Sequence, residues 1–158
     1  MGVNMTAVSK EHIARDVYRA IYTLISQNIT DLQSPDRPAS QWIFAAWPEN
    51  LGADKDDYPI IVIEKPEFKT ENWTLTKHNV SISVDITVFN AGNKAAEGAD
   101  NLCDEIASII LNNKYSDLRN DKRLYNTQIT RIDSDTVIHR GIKVHIKSMT
   151  VEFDYKVS

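Results

Sequence analysis

The fold is decided by Val80-Ser-Ile-Ser-Val-Asp-Ile-Thr-Val88 and the helix-patterned run that follows it to Leu111. Val80, Ile82, Val84, Ile86 and Val88 alternate with Ser81, Ser83, Asp85 and Thr87. Period two with β-branched residues predicts a strand with one buried and one wet face. Asn90-Ala-Gly-Asn93 interrupts the pattern. Ala95, Ala96, Ala99, Leu102, Cys103, Ile106, Ile109 and Ile110 then recur at helical spacing. At about 100° per residue they fill an arc of roughly 140°, a stripe that faces a core. A half-buried strand leading into a one-sided helix predicts a sheet with a helix lying on it.

Working outward, Ile13, Val17, Ala20, Ile21, Leu24 and Ile25 mark a first amphipathic helix ending near Asn28. Ser9 is its expected N-cap, and residues 1–8 are expected to form a loose arm. Both helices are expected on one sheet face. Tyr58-Pro-Ile-Ile-Val-Ile63 is continuously apolar, which predicts a short central strand. The long strand is expected over Leu75 to Phe89 and the second helix over Lys94 to Leu111. Asn93 is its expected cap, and Asn112-Asn113 its expected left-handed exit. Leu124 to Ile132 reads as a strand, Asp133-Ser-Asp135 as a turn and Arg140-Gly141 as a second break. In the last strand Ile142, Val144 and Ile146 alternate in one phase, and Met149, Val151, Phe153 and Tyr155 in the other. A β-bulge between Lys147 and Met149 is the expected cause. The expected fold class is α+β. It comprises a mixed, largely antiparallel twisted sheet of four to five strands, two helices on one face, and a long strand pair free to protrude. All 158 residues are expected in a single domain.

Residues 30–58 are the least regular part, punctuated by Pro35, Pro38, Pro48 and Gly52. A connection this long tends to be functional. It holds six acids (Asp31, Asp36, Glu49, Asp54, Asp56, Asp57) against Arg37 and Lys55, and so carries the net charge of −4. It also holds Trp42, Ile43, Phe44 and Trp47. These aromatics read either as a short strand capping the core or as an anchor on a neighbouring subunit. Asp54-Lys-Asp-Asp57 lacks the glycine and closing glutamate of a calcium loop.

The balance of charge excludes a basic nucleic-acid footprint. No apolar run reaches the length of a membrane span, and residues 1–10 lack a signal core, so a cytoplasmic origin is expected. The lone Cys103 excludes an internal disulfide and sits on the helix stripe, as an inert thiol would. Four histidines at positions 12, 78, 139 and 145 form no metal-binding pair, and five glycines make no phosphate cradle. No catalytic motif, cofactor site or metal site is legible. Asp85 and Glu152 or Asp154 are the one carboxylate set that strands would bring together, and they read more simply as a solvated face. With both helices on one side, the other face is expected to present Ser81, Ser83, Asp85, Thr87, Lys143, His145, Thr150, Glu152 and Asp154.

The order of features is similar to a known family. An N-terminal helix leads to an irregular segment with Trp47-Pro48. Tyr58-Pro-Ile-Ile-Val-Ile63, the long strand, a helix with Ala95, Ala96 and Ala99 early, and a final long strand follow. Over roughly residues 9 to 156 this resembles the tail terminator, or tail completion, proteins of long-tailed bacteriophages. The resemblance implies a non-enzymatic virion protein of the tail and neck, without cofactors. It implies a homo-oligomeric ring, a hexamer, that caps the tail tube, ends tube and sheath growth and offers the surface for the head-tail connector. Trp42, Ile43, Phe44, Trp47, Asp54, Asp56 and Asp57 are then expected at subunit or partner interfaces. Ser83, Asp85, Lys143 and His145 are expected on the wet face or lumen, through which DNA passes without specific binding. Two other classes stay open, a head-completion or neck adaptor protein and a small α+β ligand-binding protein or enzyme.

Overall fold

A computed structural model of the chain describes residues 12–29, 37–49, 51–69 and 79–156. Ser9, residues 1–8 and the start of the long strand at Leu75 lie outside them. Helix α1 (Ile13–Asn28) leads to strand β1 (Ile43–Phe44), then β2 (Ile60–Ile63), β3 (Glu67–Lys69) and β4 (Asn79–Ala91). Helix α2 (Ala95–Asn112), a wide π-helical turn (Lys114–Asp121), and strands β5 (Leu124–His139) and β6 (Ile142–Lys156) complete the order. The sheet is six-stranded, ordered β1-β2-β4-β6-β5, with β3 alongside β4. β1 runs parallel to β2; all other pairs are antiparallel. The fold class is therefore α+β, as the sequence predicts. The extra strand is β3, three residues from a stretch expected to loop out.

β2 is buried at all four positions between β1 and β4, which explains its lack of alternation. Ile61 and Ile63 join a core with Val80, Ile82, Val84, Ile86 and Val88 of β4, Met149, Val151, Phe153 and Tyr155 of β6, and both helices. α1 contributes Val17, Ile21, Leu24 and Ile25, and α2 contributes Ala99, Leu102, Cys103, Ile106, Ile109 and Ile110. Both helices thus lie on one face, as their apolar stripes require.

The bulge expected in β6 is absent. β4 and β6 pair without interruption from Asn79↔Lys156 to Ala91↔Val144. The change of phase has another cause. Val144 packs with Tyr58, Ile60, Val62 and Ala91 in a second core on the opposite face, joined by Ile142, Ile146, Phe44, Trp47, Leu51 and Phe89. The sheet is covered diagonally. At one end the helices bury one face; at the other the irregular segment buries the reverse. A strand that changes which face it buries shows the same phase slip as a bulge. The register shifts fall in β5 instead, at Tyr125/Gln128 and Ile129/Arg131.

Asp133-Ser-Asp135 is not a turn. β5 continues through it and reverses at Arg140-Gly141, both with positive φ, a two-residue hairpin turn. The helix ends also differ from expectation. His12 takes the N-cap position of α1 and Lys94, left-handed at φ 56°, that of α2; neither side chain caps. Asn113 leaves α2 at φ −107° rather than in the left-handed region, and its side chain donates back to the Ile109 carbonyl. Among the described residues no helix is long and apolar enough to cross a membrane.

Candidate functional site

The irregular segment is held by its own side chains. Asp57 accepts from the Gly52 and Asp54 backbone amides at 2.8 and 3.2 Å, and Asp54 accepts from the Asp56 amide at 3.2 Å. Two of the three clustered acids therefore build a short helical turn, and Asp56 alone presents an exposed carboxylate that no such bond uses. Arg37 donates to the Asp57 and Pro59 carbonyls and stacks on Trp42. Buried Tyr58 donates its hydroxyl to the Gly52 carbonyl at 2.9 Å. Burial and nearby Asp57 raise the pKa of that phenol.

The aromatics proposed as a subunit anchor are taken up inside the chain. Trp42 and Ile43 are buried in the helix-side core, and Phe44 packs against the second core. Trp47 meets Phe89 edge-on at 4.7 Å, His139 at 5.3 Å and Tyr58 at 6.5 Å. This corrects the anchor reading for Trp42 and Ile43. β1 is an edge strand beside a buried neighbour, and its side chains cap the core. Gly52 closes the cluster with φ +92°, and a Cβ there would come within 2.7 Å of the Trp47 ring. His139 brings the hairpin end into the same cluster, with its Nε2 buried and unbonded among the described residues.

The expected wet face is divided by the register. Ser81, Ser83 and Asp85 pair with Asp154, Glu152 and Thr150 on the face away from the helices. Thr150 donates to Asp85 at 2.6 Å, and Asp154 accepts from Ser81 at 3.3 Å and Asn126 at 2.9 Å. Thr87 and Ser148 hydrogen bond at 3.2 Å. Lys143 and His145 do not belong there. With no bulge, they and Lys147 project to the helix side, where Lys147 bonds Asp100 of α2 at 2.9 Å and His145 meets Thr136 at 3.4 Å. Ser83 and Asp85 therefore do not share a surface with Lys143 and His145. The carboxylates Asp85, Glu152 and Asp154 do share one. Glu152 and Asp154 line a shallow hollow of about 160 Å³ with Ser81, Asn126 and Gln128, and the hydroxyl and amide partners of Asp85 and Asp154 hold those two carboxylates on this polar face.

One cavity of about 720 Å³ opens between the start of α1 and the far strands, lined by His12, Ile13, Arg15, Tyr18, Lys65 and Phe68 among others. Sequence reading missed it, because its walls come from segments far apart in the chain. A polar hollow of about 430 Å³ lies between α2 and the hairpin at Asp100, Ser134, Thr136, His145 and Lys147. Cys103 is buried, and desolvation pushes its pKa up to about 11, so the thiolate that would react is suppressed. Among the described residues no cluster of His, Cys, Asp or Glu could hold a metal ion. No family model matches the chain, and no curated protein matches it.

Proposed function

We propose that this chain is a structural protein of a long-tailed phage particle, one that caps the tail tube as a ring, ends its growth and joins the tail to the head. The observation that carries the reading is the polar half of the sheet. Asp85, Glu152 and Asp154 stand on one face of two long paired strands, Asp85 and Asp154 held by hydroxyl and amide donors, and among the described residues neither core includes them. An acidic wall repels a polyanion, so it suits the lining of a channel through which DNA slides without adhering. The order of helix, irregular segment, Tyr-Pro strand, long strand, helix and final long strand supports the same reading.

In this scheme a hexameric ring meets tube and sheath on one side and the head-tail connector on the other. Asp56, the cluster acid whose exposed carboxylate the turn does not use, is placed to meet a basic partner or to reject a further ring. Electron microscopy of the purified chain mixed with tail tubes tests the proposal. Ring-shaped caps at tube ends are expected. Density on the capsid side of the joint would favour the neck adaptor class, and bare tube ends would refute the cap. The ligand-binding class is favoured by one feature, the 720 Å³ cavity with Arg15 and Lys65 at its margin. Saturable binding of a small anion that Lys65→Ala abolishes would support that class.

A further inference from the structure

β5 is the long outer strand of the sheet. Among the described residues β6 is its one strand neighbour, whereas the opposite border consists of two- and three-residue strands. From Thr130 to Ile138 every residue of β5 is exposed. Ile132 is 52% exposed, Val137 39% and Ile138 70%. In a two-residue hairpin the flanking pair His139↔Ile142 exchanges both backbone bonds with its partner strand, and alternate residues thereafter do the same. The backbone groups of Ile132, Ser134, Thr136 and Ile138 therefore point outward. The Thr136 amide agrees with this, since it donates to the Asp135 carboxylate at 2.8 Å rather than to β6.

Natural edges of this length are normally blocked by lysine, proline or a bulge. Between Ile132 and His139 this one has none of the three. Its guards are two acids, Asp133, paired with Arg131, and Asp135, which occupies the Thr136 amide.

We propose that two copies of the chain associate through antiparallel pairing of their β5 edges, about a two-fold axis at Asp135. In that register Ile132 of each copy lies opposite Ile138 of the other, and Ser134 opposite Thr136. All four outward residues are used, giving about eight backbone hydrogen bonds. The exposed isoleucines meet on the helix-side face, and Arg131 lies opposite His139. Pairing with the opposite border of a second sheet would leave most of β5 unmatched, because those strands are too short. The two Asp135 carboxylates meet at the axis, and each must release its Thr136 amide. Asp135 thus sets the strength of the contact. An isologous contact is distinct from the head-to-tail contacts that close a ring, so this pairing stands independently of the ring.

Single-cysteine cross-linking of the full chain tests it. Residue 135 faces itself across the axis in a non-hydrogen-bonded pair, a separation suited to a disulfide. Residues 133 and 137 face each other and not themselves. Under mild oxidation Asp135→Cys is expected to form covalent dimers at least tenfold faster than Asp133→Cys or Val137→Cys, with buried Cys103 silent. Adding Ile138→Lys, a change at an exposed position, is expected to slow the Asp135→Cys reaction about tenfold. In sedimentation, Asp135→Asn is expected to tighten association about tenfold, since it removes the like-charge pair. Equal rates at the three positions, faster reaction at 133 or 137, or no dimer would overturn the proposal.

Discussion

Replacing Trp47 by alanine separates two accounts of the irregular segment. The indole touches Phe89, Tyr58 and His139 and closes over Gly52. A fully buried Trp→Ala change costs about 3–5 kcal/mol. Trp47 is half-buried, and the loss scales to about 2–3 kcal/mol by the same series. For a chain of this size that is a fall in Tm of roughly 5–10 °C. Urea unfolding followed by circular dichroism, with near-ultraviolet signal from the remaining aromatics, measures it. The slope of the transition is expected to stay near that of the parent chain, because the helix-side core is untouched. If Trp47 were instead an anchor for a second subunit, the isolated chain would lose almost nothing and self-association would weaken. A loss below about 0.5 kcal/mol would refute the capping argument.

Further consequences follow from the same contacts. Gly52→Ala places a Cβ against the Trp47 ring at a positive φ, and is expected to destabilise by about 2–4 kcal/mol in urea titration. Asn90, buried beneath α2, donates to the Ala95 carbonyl and accepts from the Ala91 amide, and the Asn90 amide fills the space a Cβ on Gly98 would need. Gly98→Ala should therefore weaken the parent chain yet gain helix propensity in an Asn90→Ala background, a sign reversal that a double-mutant cycle reads. Burial raises the pKa values of Tyr18, Tyr58 and Tyr155, and pushes Cys103 up to about 11. The folded chain therefore holds protons that the unfolded chain releases. Their stabilisation is complete below the ordinary thiol value of 9.0 and fades as pH rises through the raised values. Urea midpoints are expected to fall as pH rises from 9.0 to about 11, and Cys103 is expected to resist a thiol reagent at pH 8 until the chain unfolds.

Much of this fold is legible from periodicity. Both helices, and β4 from Val80 to Val88, announce themselves because each keeps one face against the same core there. β6 is harder. Its two phases are read correctly as two sets of inward residues, but a bulge and a change of buried face give the same pattern. The decision rests on the aromatic segment 37–58, which covers the far end of the opposite face. That choice moves Lys143 and His145 to the helix side and leaves Asp85 with Glu152 and Asp154. Asp133-Ser-Asp135 imitates a turn because an exposed edge strand and a turn draw on the same polar residues. What distinguishes them is the partner β6, which local composition does not reveal. Asp54 and Asp57 read as surface charge, but their carboxylates are committed to backbone amides five residues away or fewer. Of the three clustered acids, Asp56 alone has a carboxylate that the turn does not use.

The proposed role of the chain is to act by shape at the end of a tail tube. The length of tails in particles assembled without this chain tests it most directly, measured by electron microscopy. Tails of uncontrolled length, detached from filled heads and restored by the purified chain, are the expected result. Tails of normal length joined to heads would contradict the account.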